Sequence, residues 1–417
     1  MTDLSGGDTG KTGLVLLPAA KVALHVKDQE TREAAARLAK DWRFARITFD
    51  IQDGSIESAT EHYSKNPSPD LVIVETASIE NEFTDRLTSL AENCSENTSA
   101  VVIGPVNDVY LYRKMIDMGV SDYLVKPVTI DVLADVISKT LIEKFGAPDS
   151  KLIAVVGAKG GVGASAFAGT IAWSISGQFE EKTMILDAAG GWSYLSVSMG
   201  AEPVTNFAEI TRLAAGTDEG AFNRMIHKPS DKLSVLATGA EPMLDDQSNA
   251  AGFELLINKL MITYPVVIAD LSGASASVKR VALSRAHEII VVSSPSLPSL
   301  RGARTLIQEI KSLRGDSDKN IHFVINKAGE APGLEVAAKD IETALERKSE
   351  LTLGYDPKIF AASESQGKKV HELKNAEGAV TAIFNFTKNL LNAKTATAPK
   401  LQEKSLVGGL LNKFKGK

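Results

Sequence analysis

The chain has 417 residues, a formal net charge of −6, one cysteine and six histidines. This length suits about two or three domains, and the acidic balance gives no overall attraction to nucleic acid. The single cysteine, Cys94, rules out an internal disulfide and a thiolate metal cluster, which is typical of a reducing compartment. The histidines show no metal-ligand spacing. We therefore expect a cytoplasmic protein with no nucleic-acid partner.

Residues 1–19 are polar and glycine-rich until a short apolar run near their end. That run is too brief for a signal peptide or a membrane span. We expect a disordered lead-in.

Residues 20–146 alternate apolar strands with helical stretches. Strands are predicted at 22–26, 71–74, 101–103 and 123–125, and helices at 30–42, 107–118 and 130–143. This alternation predicts a parallel sheet with helices on both faces. A turn-rich stretch at 146–150 reads as a linker.

Residues 150–392 repeat the same alternation on a larger scale. Strands are predicted at 152–156, 183–186, 233–236, 266–269, 288–292 and 322–325, with a helix at 167–175 and further helices between them. The fold class is therefore α/β in both modules. Residues 393–403 are a low-complexity linker, and 404–417 form a separate element.

A glycine-rich loop, Ala-Lys-Gly-Gly-Val-Gly-Ala-Ser, occupies residues 158–165 between a predicted strand and a predicted helix. This context suits a phosphate-binding loop, in which backbone N–H groups surround an anion at a helix N-terminus. The usual motif has a lysine directly before the serine or threonine, and here that position is Ala164. The hydroxyl that would ligate Mg²⁺, Ser165, is retained. We expect a loop that holds a nucleotide and hydrolyses it weakly or not at all, and we assign no catalytic residue.

The loop resembles the deviant Walker A loop of the ParA/MinD superfamily. In that family the early lysine, here Lys159, reaches the partner's phosphates across a nucleotide-sandwiched homodimer. Asn326 and Lys327 match the pair that ends a later strand and contacts adenine, although an asparagine at a strand end is also a common turn former. The resemblance implies binding of ATP or ADP by Lys159, Gly160, Gly161, Val162, Gly163, Ala164, Ser165, Asn326 and Lys327.

The same resemblance implies an Mg²⁺ site made of Ser165, Asp187 and Asp270. Asp270 ends an apolar strand in the Walker B pattern, and Asp187 matches the first carboxylate of the family's Asp-x-Asp. The second carboxylate, which orients the attacking water, is replaced by Ala189. Loss of this carboxylate and of the loop lysine should each slow phosphoryl transfer. Either aspartate could instead be a structural strand-end residue.

The first module resembles a response-regulator receiver domain, which implies a flavodoxin-like fold. Phosphoryl transfer in that family needs an aspartate acceptor, an acidic pair, a hydroxyl and a lysine. Here Glu75 stands at the acceptor, Asp28 alone remains of the pair, Gly104 replaces the hydroxyl, and Lys126 is retained. We expect a pseudo-receiver pocket of Asp28, Glu75 and Lys126. Its Glu75–Lys126 contact would be a surface ion pair of ~0–1 kcal/mol.

Such a module would serve as an interaction or dimerisation scaffold. A phosphorylation-dependent switch is the alternative, and the departures at three of the family's positions disfavour it.

The two modules in tandem resemble the CpaE/TadZ proteins of the Flp (tad) pilus system. The resemblance implies a nucleotide-binding localisation factor, peripheral at the inner membrane and placed at a cell pole. It implies a homodimer that recruits other pilus assembly proteins, including the secretion ATPase and the inner-membrane platform. The alternative is an active ParA/MinD-type ATPase that partitions or positions DNA or protein cargo. That alternative predicts a lysine before Ser165 and an aspartate at 189, and neither is present.

The tail combines helically spaced apolar residues with lysines. The apolar residues include Leu406, Leu410, Leu411 and Phe414. This pattern suits an interfacial helix on anionic lipid. Two adjacent glycines weaken the helix by ~1 kcal/mol each relative to alanine, so folding on binding is expected. A protein-docking or disordered tail is an equal alternative.

Overall fold

A computed structural model of the chain describes residues 16–77, 82–145, 150–188, 194–239, 250–359 and 376–391. These residues form two α/β modules, each with its own sheet and its own buried clusters. Among the described helices, none is both long and apolar enough to cross a lipid bilayer.

The first module contains five strands and five α-helices in strict alternation. They are β1 (Ala20–His25), α1 (Gln29–Leu38), β2 (Ile47–Gln52), α2 (Ile56–Tyr63), β3 (Leu71–Glu75), α3 (Glu82–Asn93), β4 (Ser99–Gly104), α4 (Val109–Asp117), β5 (Asp122–Val125) and α5 (Ile130–Phe145). The strands are all parallel, in the order β2-β1-β3-β4-β5, which is the flavodoxin-like order. One face of the sheet packs on α1 and α5, and the other packs on α2, α3 and α4. The predicted parallel sheet with helices on both faces is confirmed.

Several elements of this module differ from the prediction. The strand β2 and the helices α2 and α3 were not predicted. Strand β2 is an edge strand with only one buried residue, so its sequence lacks a continuous apolar run. Helix α1 ends at Leu38 rather than at Trp42. The reason is that the Asp41 side chain accepts a hydrogen bond from the Arg43 N–H and caps a separate short turn over Trp42–Phe44.

The predicted lead-in also ends earlier than residue 19. Leu17 is buried in the core of the first module, and its N–H donates to the Arg43 carbonyl at 2.9 Å. Burial of this side chain gives the segment from Leu16 onward a fixed position.

The described residues of the second module form eight strands. Its elements are β6 (Lys151–Gly157), α6 (Ala164–Gln178), β7 (Thr183–Asp187), α7 (Tyr194–Ser198), α8 (Phe207–Ala215), α9 (Glu219–Arg224), β8 (His227–Ser230), β9 (Leu233–Ala237), α10 (Ala250–Thr263), β10 (Val266–Asp270), α11 (Ala276–Arg285), β11 (Glu288–Ser293), α12 (Leu297–Leu313), β12 (Ile321–Ala328), α13 (Ala338–Leu345), β13 (Leu351–Gly354) and α14 (Glu377–Leu390).

These strands follow the order β13-β12-β11-β6-β10-β7-β9-β8, and only β8 is antiparallel to its neighbour. The six predicted strands are confirmed. The two that were missed, β8 and β13, are four-residue edge strands with partly exposed side chains. Strand β6 lies near the middle of the sheet, between β10 and β11. Because ligands of parallel α/β sheets bind at the carboxyl ends of the strands, the loop that follows β6 is centrally placed for this role.

Candidate functional site

The loop between β6 and α6 depends on two glycines with left-handed backbone. Gly161 has a φ of 80° and Gly163 a φ of 85°, values that L side chains rarely adopt. Gly163 is also the N-cap of α6 and offers no side-chain cap to the helix. The first N–H groups of α6 therefore face the loop without a capping side chain, which is the arrangement that binds phosphate.

Asn326 holds this loop from the carboxyl end of β12. Its side chain is buried, its Nδ2 donates to the Val162 carbonyl at 2.9 Å, and its Oδ1 accepts from the Lys327 N–H at 2.9 Å. A Cβ on Gly163 would lie 2.5 Å from Nδ2, so only glycine fits beside this amide. The structure thus places Asn326 in the predicted pocket, where its amide group is bonded to the loop itself.

A cavity of about 480 Å³ opens over the loop. This volume lies within the range of small-molecule sites. All nine residues predicted to bind the nucleotide line the cavity, from Lys159 to Ser165 together with Asn326 and Lys327. The cavity is also lined by residues that were not assigned to the site, namely Gly157, Ala166, Ser272, Gly354, Tyr355, Asp356 and Pro357. Gly157 and Ala166 adjoin the predicted loop in β6 and α6, and the others lie at or just after the ends of β10 and β13.

The two lysines of the pocket differ in their contacts. Lys159 is exposed, and its Nζ donates to the Gly160 carbonyl at 3.1 Å. No carboxylate in the described part of the chain lies within ion-pair distance of Lys159, whereas the Lys327 Nζ lies 3.6 Å from a Glu330 carboxylate oxygen. The Lys159 ammonium is therefore the one better placed to meet an added anion.

Asp270 lies beneath the cavity and is fully buried at the end of β10. Its Oδ1 accepts hydrogen bonds from the Ser272 hydroxyl at 2.6 Å and from the Ser272 N–H at 3.0 Å. Its Oδ2 is buried without a well-formed hydrogen bond to any described residue. Burial raises the pKa of Asp270, and the hydroxyls of Ser165 and Ser272 act in the opposite direction.

A buried carboxylate oxygen that has no well-formed hydrogen bond among the described residues, close to the Ser165 hydroxyl, fits a hard cation. Mg²⁺ prefers oxygen ligands and is commonly held by one or two carboxylates together with substrate phosphates. Asp187 is also buried and lies opposite Asp270 in the register of β7 and β10. Neither aspartate lines the cavity itself. The predicted ligands therefore lie at the same end of the sheet. Ser165 and Ser272 line the cavity and separate it from the Asp270 carboxylate.

In the first module, Glu75 and Lys126 are joined as predicted. The Lys126 Nζ donates to the Glu75 Oε1 at 2.7 Å, while Oε2 accepts the N–H groups of Lys27 and Asp28 at 2.7 and 2.8 Å. Burial raises the pKa of Glu75, but these hydrogen bonds outweigh it and hold the pKa below its usual value. The Glu75 side chain is only 7% exposed, so the prediction of a surface ion pair is wrong.

Asp28 uses its carboxylate differently. Its Oδ2 accepts the Thr31 N–H at 2.9 Å and the Thr31 hydroxyl at 2.7 Å, so the side chain caps α1. These hydrogen bonds lower the pKa of Asp28. The carboxylates of Asp28 and Glu75 therefore have separate structural partners.

Gly104, at the end of β4, is covered by the ring of Tyr123. A Cβ at position 104 would clash with the ring and its hydroxyl, which donates to the Val106 carbonyl at 2.9 Å. The phenol thus fills the space in which a side chain at 104 would lie.

Some predicted positions lie outside the described residues. These are the lead-in up to residue 15, residues 146–149 of the first linker, Ala189, the linker 393–403, and the tail residues Leu406, Leu410, Leu411 and Phe414.

Comparison with protein families matches residues 150–323 to the AAA_31 model, described as an AAA domain. This match lies within the second module. Over 267 residues the chain is 23% identical to an uncharacterized ATP-binding protein of Methanocaldococcus jannaschii, covering 64% of this chain and 97% of that protein.

Two solved structures are similar to parts of the chain. A ParA family ATPase from Chlorobium tepidum superposes with a TM-score of 0.50 at 21% identity, covering 57% of this chain and 98% of its own. This likeness shows the fold. A putative CpaE2 pilus assembly protein from Sinorhizobium meliloti is 38% identical, with a TM-score of 0.28, covering 29% of this chain and 98% of its own.

Proposed function

We propose that this chain is a nucleotide-binding scaffold of the ParA/MinD type that serves in assembly of the Flp (tad) pilus. It binds ATP or ADP with Mg²⁺ in the cavity over the β6–α6 loop and dimerises through that site. It hydrolyses the nucleotide slowly or not at all.

The observation that carries nucleotide binding is the loop itself. Gly161 and Gly163 hold it in left-handed backbone, Asn326 fixes it to β12, and the first turn of α6 is open toward it. This geometry binds phosphate through main-chain N–H groups and needs no lysine side chain.

The Mg²⁺ role follows from Asp270 and Ser165. In the part of the chain that the structure describes, the Oδ2 of Asp270 is buried without a well-formed partner, which costs free energy unless a cation or a proton neutralises it. An Mg²⁺ held there with a nucleotide would supply positive charge that neutralises the phosphates. Ser165 and Asp270 are the residues that would hold the ion, with Asp187 beside them.

Slow hydrolysis follows from two substitutions. Ala164 offers no cation to the phosphates, and Ala189 offers no carboxylate to orient a water molecule. The exposed Lys159 is the available cation, and in a homodimer it would contact the partner's phosphates.

The pilus role rests on the sequence resemblance of the tandem modules to CpaE/TadZ proteins. In this role the first module is a pseudo-receiver that acts as a docking scaffold, because the Glu75 carboxylate is bonded to Lys126 and Gly104 carries no hydroxyl. The partners are the secretion ATPase and the inner-membrane platform. The protein would lie at a cell pole, peripheral to the inner membrane, with the tail 404–417 as a lipid contact.

The alternative is an active ParA/MinD-type ATPase that positions DNA or protein cargo. Ala164 argues against it, since a P-loop without its lysine loses charge stabilisation in the transition state.

Calorimetry with ATP and ADP, each with and without Mg²⁺, tests the binding. We expect heat of binding from the wild type and a gain in affinity from Mg²⁺. Asp270→Asn should lose that gain, while Asp218→Asn, which changes the N-cap of α9, should retain it. Absence of binding by folded wild-type protein would refute the proposal.

Phosphate release tests the scaffold role. We expect little turnover from the wild type and a measurable increase from Ala164→Lys. Rapid turnover by the wild type would instead favour the active ATPase.

A further inference from the structure

The two modules share a buried charged contact. The guanidinium of Arg46, which follows the short turn after α1, pairs with the carboxylate of Glu254 on α10. The same carboxylate oxygen of Glu254 lies 3.2 Å from the Arg285 Nη1. The Glu254 and Arg285 side chains are only 11% and 8% exposed, so this is not a loose surface pair. One carboxylate thus joins an arginine of each module.

Three further contacts join the two modules. The ring of Trp42 covers Gly315, where an added Cβ would clash with the indole, and Arg314 lies 5.8 Å from the centre of the same ring. The Leu16 N–H donates to the Ser284 carbonyl at 3.1 Å. The first module therefore rests on the end of α11 and on the segment after α12.

Helix α11 connects this contact to the cavity. It follows β10 by five residues, among them Ser272, which lines the cavity and bonds Asp270. The side chain of Ser275 caps its N-terminus, and Arg285 is its last residue. Ten residues of helix span roughly 15 Å and move as a unit, because their backbone hydrogen bonds are internal. A displacement of the Ser272 segment would therefore reach Arg285.

We infer that the first module regulates the nucleotide site through helix α11, with the Arg46–Glu254–Arg285 contact as the coupling element. This inference rests on the proposed nucleotide binding. When the first module docks, Arg46 holds the Glu254 carboxylate in place, and Glu254 in turn holds Arg285 at the end of α11. Docking therefore orders α11 before the nucleotide binds. Pre-ordering lowers the cost of binding, so docking strengthens affinity for the Mg²⁺–nucleotide. By linkage, the Mg²⁺–nucleotide strengthens docking to the same extent.

The first test compares affinities for ADP with Mg²⁺ in the full chain. Arg46→Ala should weaken binding about fivefold or more, a typical size for coupling between sites. Arg46→Lys, which keeps the charge, should lie between this variant and the wild type. Arg37→Ala is the matched control, because Arg37 is an exposed arginine of α1 that pairs only with Glu33 on its own helix among the described residues.

Hydrogen exchange in the wild type tests the reverse direction and needs no variant. Addition of ADP with Mg²⁺ should slow exchange in residues 42–46 of the first module and in the last turn of α11. Unchanged exchange in residues 42–46, or equal affinity of Arg46→Ala and Arg37→Ala, would overturn the coupling while leaving nucleotide binding intact. Failure of the wild type to bind ADP would refute the proposed function itself.

Discussion

His322 is expected to make the stability of the second module fall in alkaline solution. Its Nε2 lies 2.9 Å from a Glu288 carboxylate oxygen, and its Nδ1 lies 2.7 Å from one of Glu350. Its ring also meets Phe386 of α14 edge-on. The residue therefore ties β11, β12 and the segment before β13 to α14. We expect His322→Gln to remove the charged contacts with the Glu288 and Glu350 carboxylates.

The magnitude follows from the pKa of His322. Burial lowers this pKa, but the two carboxylates outweigh it and raise it from 6.5 to about 9. A histidine with a raised pKa in the folded state stabilises the fold fully below the unfolded value and loses that effect as the pH rises through the folded value. Since one pKa unit corresponds to about 1.4 kcal/mol, the link contributes about 3 kcal/mol near pH 6 and almost nothing above pH ~9.5.

Urea unfolding followed by circular dichroism, at pH steps from 6 to 9.5, measures this effect. The difference in unfolding free energy between wild type and His322→Gln should shrink by about 3 kcal/mol across that range. The control is His227→Gln, which changes an exposed histidine of the edge strand β8. A difference that stays constant with pH would show that His322 is not charged in the folded protein.

Two further substitutions test the Asn326–Val162 hydrogen bond of the second module and the Glu75–Lys126 ion pair of the first. Asn326→Ala removes the hydrogen bond to the Val162 carbonyl and should weaken Mg²⁺–nucleotide affinity about fivefold, since such a bond is worth about 1 kcal/mol; calorimetry with an unchanged affinity would show that the loop keeps its shape unaided. Glu75→Gln removes the charge that pairs with Lys126 and should destabilise the first module by about 1–3 kcal/mol in thermal unfolding. Glu33→Gln, on the exposed side of α1, should leave the stability unchanged. Equal thermal unfolding midpoints for the two variants would contradict the burial of the Glu75 ion pair.

The sequence could predict the strands that are buried on both faces and the loop after β6. Strands such as β10 and β11 are continuous apolar runs, and a glycine-rich loop between a strand and a helix start is typical of phosphate binding. The edge strands β2, β8 and β13 were not predicted, because half-exposed strands mix polar and apolar residues.

The roles of individual side chains were harder to predict. Asn326 was expected to contact the ligand, and its bond to the loop depends on the close approach of β12 and Gly163, which no local pattern encodes. Glu75 was expected at the surface, and its burial depends on two backbone N–H groups that come from the end of another strand. Long-range packing of this kind arises only from the assembled sheet.

The ring of Tyr123 over Gly104 has a consequence for engineering. Glu75→Asp alone would not supply the acceptor and hydroxyl that receiver domains use. A serine or threonine would also be needed at 104, and its side chain would collide with the phenol. Tyr123 would have to leave its buried position and give up its bond to Val106 before that hydroxyl could fit. A hydroxyl side chain at position 104 would therefore require a second change at Tyr123.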